Sequence, residues 1–178
     1  MTSLFELLKT RRSIRKYLPN AVEQAKINQI THAALMSPAS KRSNPWEFIV
    51  VEDKQMLLKL SECRSHSSQM LLDSPLGIVV IADKTKSDVW LEDASIAAII
   101  MQLQAQDLGL GSCWIQVYDR EKDSTMTAEE YIRGLMSIPK NYSVLCIISI
   151  GYPNEERKPF ETEKLAIDKI HSEKFLPL

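Results

Sequence analysis

Cysteine and histidine are scarce in this 178-residue chain, with three of each, and there are only five glycines. The cysteines, Cys63, Cys113 and Cys146, are odd in number and widely spaced. That argues against a disulfide framework and fits a reducing, cytoplasmic setting. The histidines are scattered and no CxxC pair occurs, so the ligand spacing of a zinc site is missing. Charge of either sign is not in excess. The net charge of −1 excludes a bulk field that would draw nucleic acid or an anionic membrane. The longest apolar stretch, Ala94 to Met101, is too short to span a bilayer. Met1 to Glu6 shows no cationic start followed by an apolar run, so no signal peptide is expected.

What is present suits one ordinary domain, with 44% hydrophobic and 25% charged residues. Ser3 with Glu6 reads as a capping box opening a short helix whose apolar side holds Leu4, Phe5, Leu7 and Leu8. A second helix is expected from about Val22 to Met36, with Ile27, Ile30 and Ala34 at helical spacing and Pro38 ending it. Phe48–Val51 reads as a strand, and Asp53 as the cap of a helix reaching about Cys63. Gly77–Ala82 is apolar at every position and predicts a central strand covered on both faces. Thr127 with Glu130 forms another capping box, and Val144–Ile150 is a third strand.

The segment from Asp88 to Leu108 is apolar almost all round, which predicts a buried helix. Gly109 stands where a C-terminal cap belongs. The tail from about Asn154 is polar and broken by prolines. Helices and strands are mixed without regular alternation, so the order reads as α+β, one sheet with helices packed on it.

Three segments carry possible chemistry. Arg11-Arg12-Ser13-Ile14-Arg15-Lys16 concentrates cations and a hydroxyl, and guanidinium forks match phosphate oxygens. A solvated basic face after a helix is the alternative. Ser37 to Trp46 is a proline-bounded loop rich in hydroxyl, amide and cation, leading straight into a strand. A capped turn with Trp46 as core anchor is its plainer reading. Gly109 to Gln116 holds two glycines that permit close backbone approach to a flat ligand, though helix capping alone explains the first. These glycines follow a helix and no third one comes, so this is neither a dinucleotide fingerprint nor a phosphate-binding P-loop. Cys113 reads as a buried structural thiol in preference to a nucleophile.

Taken in order, these segments resemble the nitroreductase family over nearly the whole chain. The carriers are R-R-S-x-R at Arg11, Arg12, Ser13 and Arg15; the proline loop from Pro38 to Trp46; Glu92-Asp93-Ala94 running into G-L-G-S-C-W at Gly109–Trp114; and G-Y-P at Gly151–Pro153. The resemblance implies a single domain, residues 1–178, with a central mixed, largely antiparallel sheet flanked by helices. It implies an intertwined homodimer, with residues from about 154 extending onto the partner and FMN at the subunit interface. Arg11, Arg12, Ser13 and Arg15 would contact phosphate, ribityl chain and pyrimidine edge. Pro38, Ala39, Ser40 and Asn44 would come from the other subunit, and the backbone around Trp114, Ile115 and Gln116 would approach the flavin N5. Lys164 or Lys158 would complete the phosphate site, with Lys164 favoured. Relatives often have asparagine where this chain has Arg42, and glutamine where it has Asn44. Ser67 to Met70 stands where a segment over the pyrimidine ring is expected.

The implied activity is transfer of reducing equivalents from NADH or NADPH, through flavin N5, to a small nitroaromatic or quinone-like acceptor by a ping-pong mechanism. A specialised flavin-fragmenting or dehalogenating enzyme of the same family, or a protein that stores FMN or senses redox state, are the alternatives. The cofactor would carry the chemistry, so no side-chain acid or base is demanded.

Overall fold

The computed structural model describes residues 3–175. The β-branched runs form β1 (Trp46–Val51), β2 (Leu76–Asp83) and β4 (Tyr142–Gly151), joined by β3 (Gly111–Gln116). They make one sheet in the order β1-β2-β4-β3, its strand pairs all antiparallel, in keeping with the mixed, largely antiparallel sheet the resemblance implied. The one parallel element is a lone bridge from Ser13 to Ser112. Central β2 is buried at every position, as its unbroken apolar run requires.

Alternation along the strands feeds two cores. Ile78, Val80, Ile148 and Ile150 face helices α2 (Gln24–Leu35) and α4 (Trp90–Asp107). Val79, Ile81, Val144 and Ile147 face α3 (Lys54–Ser61) and α5 (Ala128–Met136). Caps act where the sequence places them. Asp53 accepts from Met56 N, and the Thr127–Glu130 box closes in both directions. Helix α4 ends in a Schellman turn: Gly109 has φ +75°, its N–H donates to Gln106 O (3.1 Å), and Leu110 N–H donates to Ala105 O (2.9 Å).

Two expectations change. Helix α4 is not buried all round. Ala94, Ala97, Ala98, Met101 and Ala105 lie against the core, but Leu91, Ile96 and Ile99 are exposed, because the sheet supplies an apolar neighbour on one side only. The first helix, α1 (Leu4–Thr10), buries no residue, with Leu4 and Phe5 each 61% exposed. Its Ser3 cap forms, accepting from Glu6 N (3.2 Å). The tail first lies along this helix, with Phe160 N–H donating to Lys9 O (2.9 Å), and then leaves Leu165, Ile167 and Ile170 exposed.

Candidate active site

Two glycines face each other across the sheet, Gly111 on β3 and Gly151 on β4. A methyl at Gly111 would lie 2.7 Å from Ile14 Cβ, and one at Gly151 2.6 Å from Pro75 Cδ and 2.9 Å from Tyr17 Cδ1. The pair is therefore a floor cut for the side chains of Ile14, Tyr17 and Pro75, and the segment from Ser13 to Leu18 lies on it. Ile14 N–H donates to Ser112 O (3.0 Å) and Leu18 N–H to Tyr152 O (2.9 Å). The buried Tyr17 hydroxyl bonds Ile14 O (2.6 Å) and Ser149 Oγ (2.8 Å). Burial raises its pKa far out of reach at neutral pH, so it is an anchor.

This anchoring presents the cations. Arg11 caps α1 through its backbone, and Arg12 stacks over the Phe160 ring at 4.5 Å. Arg15 is exposed at the rim of a cavity of about 440 Å³. That cavity is shared with Lys16, Ser67, Met70, Asp73, Cys113 and Trp114, and its volume is within the range of small-molecule sites. Arg11, Arg12 and Arg15 form no ion pair with a carboxylate among the described residues. An unpaired guanidinium at the rim of a cavity walled by a tryptophan, a methionine and a thiol, with Arg11 and Arg12 a few residues before it in the chain, suits a flat heterocycle bearing an anionic tail.

Strand β3 supplies one wall. Trp114 Nε1 donates to Gln116 Oε1 (2.8 Å), and Gln116 Nε2 to Tyr118 O (2.9 Å), which fixes both side chains. Ile115 points away into the second core. The segment around Ser67 joins the cavity because buried Ser68 ties it down, donating to Ser61 O (2.6 Å). Burial raises the pKa of all three thiols, that of Cys63 to about 11, and neither Arg15 nor Ser13 reverses the effect at Cys113.

The second expected group lies elsewhere. Ser40 and Ser43 border a separate cavity of about 260 Å³ with Lys84–Asp88. Three non-glycine residues of this loop are left-handed, Lys41 (φ 52°), Arg42 (φ 57°) and Asn44 (φ 41°). Such positions cost of order 1–3 kcal/mol each and cluster at ligand-holding segments. Within one chain Arg15 and Lys16 line one cavity and the proline loop another. Lys164 is exposed and pairs with Glu161 (2.7 Å), while Lys158 is exposed and makes no ion pair among the described residues.

Sequence reasoning missed Glu155. One of its carboxylate oxygens accepts from both Arg15 N (2.5 Å) and Lys16 N (3.2 Å), and the other pairs with Arg157 (2.6 Å). Nothing local marks it, since the contact joins positions 140 residues apart. Its pKa is lowered. Burial pushes upward, but the two N–H donors and Arg157 together outweigh it. A lowered carboxylate contributes stability in full above its unfolded value, about 4.3, and loses it as pH falls through the folded value. The melting temperature of Glu155→Gln is therefore expected to lie below wild type at neutral pH. The gap should narrow from roughly pH 5 to pH 3, read by thermal melts across that range. A gap independent of pH would remove the carboxylate from this role.

A two-sided α+β sheet with a cation-rimmed cavity against its edge strand β3 has the form of a small-molecule-binding fold. A family model described as "Nitroreductase family" matches residues 8–64 and 56–152, and the chain belongs to that family of oxidoreductases. It is 38% identical to an Archaeoglobus fulgidus protein named as an NADH dehydrogenase/NAD(P)H nitroreductase, over 98% of this chain and 100% of the relative. A solved FMN-dependent nitroreductase from Clostridium difficile superposes with a TM-score of 0.95 at 52% identity, covering 97% of this chain and 100% of that one. A Bacteroides thetaiotaomicron structure, also named for NADH dehydrogenase/NAD(P)H nitroreductase activity, gives 0.88 at 32% identity, over 96% and 97%. No helix among the described residues is long and apolar enough to cross a membrane.

Proposed function

We propose that this protein is a homodimeric, FMN-dependent oxidoreductase that uses NAD(P)H to reduce a small nitroaromatic or quinone-like acceptor. The observation that carries this reading is Arg15, free of any carboxylate partner among the described residues, in a segment seated on the Gly111–Gly151 floor and lining one cavity with Trp114 and Cys113. Arg11, Arg12 and Ser13 bind the terminal phosphate, with Lys164 or Lys158 as a further cation. Arg15 holds the polar edge of the ring, and its positive charge favours electron density arriving there. Bound FMN supplies two-electron transfer through N5, and both substrates use the same cavity in turn, which makes the kinetics ping-pong. Pro38, Ala39, Ser40 and Asn44 close the site from the second subunit. The support for two subunits is that one chain keeps this loop and Arg15 in separate cavities, and leaves Ile96 and Ile99 exposed. The three free, buried thiols support a reducing, cytoplasmic setting.

The purified protein is expected to be a yellow dimer by light scattering, to release FMN and not FAD, and to bleach when NADH or NADPH is added without oxygen. A colourless protein that takes up no FMN overturns the reading. Steady-state plots against NAD(P)H at several acceptor concentrations should be parallel, and intersecting lines would refute the shared cavity.

Cys113 lines the cavity as a protonated thiol and transfers nothing in this scheme. Cys113→Ala should keep most of kcat with a nitroaromatic or quinone, at a stability cost of about 1 kcal/mol for the small void. A collapse of kcat with FMN still bound would promote the thiol to a chemical role.

A further inference from the structure

Asp93 is a carboxylate that no part of the scheme above uses. It lies in the first turn of α4, is 3% exposed, and forms no ion pair among the described residues. A buried charge without a cation is costly unless other groups replace its water. Here three donors converge on it. Ser40 N–H donates to Oδ1 (2.8 Å), and the hydroxyls of Ser87 (2.9 Å) and Ser43 (3.5 Å) reach Oδ2. The positive end of the α4 dipole adds to them.

Two of those donors belong to the left-handed loop. Ser40 stands at its entry, directly before Lys41 and Arg42, and Ser43 lies between Arg42 and Asn44. The third, Ser87, belongs to the turn after β2 and lines the same cavity as the loop. A chain with three non-glycine residues at positive φ relaxes unless something outside it holds the shape. The Asp93 carboxylate holds this loop at the entry to its strained stretch and again within it, from the rigid start of the longest helix. We propose that Asp93 is the positioning residue of the proline loop: it holds Pro38–Asn44 in the shape that meets the flavin of the second subunit. The proposal rests on the flavin reading above. Asp93 touches no ligand itself and acts through Ser40 and Ser43.

The test compares Asp93→Ala, Asp93→Asn, Ser43→Ala/Ser87→Ala and Glu92→Gln with the wild type. Three quantities are measured: the FMN dissociation constant of the stripped dimer, the visible circular dichroism of flavin at saturation, and the melting temperature. Asp93→Ala is expected to weaken FMN binding roughly tenfold or more and to change the flavin dichroism even when saturated. Asp93→Asn keeps an acceptor for Ser40 N–H and should recover most of both. Glu92→Gln, an exposed neighbour, should alter nothing. If Asp93→Ala does not fold, the Ser43→Ala/Ser87→Ala pair decides, with a severalfold rise in the dissociation constant expected. A lower melting temperature with unchanged FMN affinity and dichroism would reduce Asp93 to a folding anchor and overturn the proposal alone. Wild-type protein that takes up no FMN would overturn the flavin reading as well.

Discussion

Arg15→Ala is expected to weaken FMN binding by about ten- to a hundredfold, the cost of one charge-assisted hydrogen bond of roughly 1.5–3 kcal/mol. Arg15 stands at the mouth of the cavity with no carboxylate partner, so its removal breaks no ion pair within the protein. Its backbone is held separately by Glu155, so truncating the side chain leaves the segment in place. Arg42 is the control. It belongs to the left-handed loop at φ 57°, is exposed, and does not line the Arg15 cavity. Arg42→Ala should change FMN affinity less. Titration of flavin fluorescence against stripped protein measures both. Equal dissociation constants for wild type and Arg15→Ala would show that the cation cluster does not hold the cofactor.

A single methyl at Gly151 should do comparable damage to stability. The new carbon would stand 2.6 Å and 2.9 Å from the Pro75 ring and 2.9 Å from the Tyr17 ring, and neither neighbour is the free end of a flexible chain. Overpacking of this kind costs typically 1–3 kcal/mol, and two rigid rings place Gly151→Ala near the top of that range. About 3 kcal/mol corresponds to a melting temperature lower by roughly 6–12 °C for a domain of this size. Because Tyr17 belongs to the segment that carries the arginines, FMN affinity should fall with it. Gly134 gives the opposite sign. It lies exposed within α5 with nothing within 4 Å of an added methyl, so Gly134→Ala should raise stability by about 0.5–1 kcal/mol. A Gly151→Ala protein that melts with the wild type would show that the glycine floor is not tight.

Local rules made much of this molecule legible in the sequence. The caps at Asp53 and Thr127, the Gly109 stop, the apolar stripe of Ile27, Ile30 and Ala34, and the doubly covered strand over Gly77–Ala82 each depend on residues close together in the chain. The cation motif and the proline loop were visible for the same reason. Strand β3 was hidden, because Gly111-Ser112-Cys113 carries no strand signal of its own and becomes extended only by pairing with β4. The exposed stripe of α4 was hidden too, since periodicity records which residues are apolar and not how many neighbours the fold supplies. In the sequence Gly111 reads as a place where a flat ligand approaches the backbone, and Gly151 as part of a G-Y-P motif. Only the sheet register set them opposite each other, and only the crossing of Ile14 and Tyr17 showed why neither bears a side chain. Glu155 under Arg15 and Asp93 under Ser40 belong to the same category, contacts across 140 and 53 residues. The sequence alone determined which chemical groups this protein has and which helices and strands carry most of them. The tertiary structure decided which of those groups meet, because hydrogen-bond partners and close packing distant in the chain are chosen by the fold and leave no trace in local spacing.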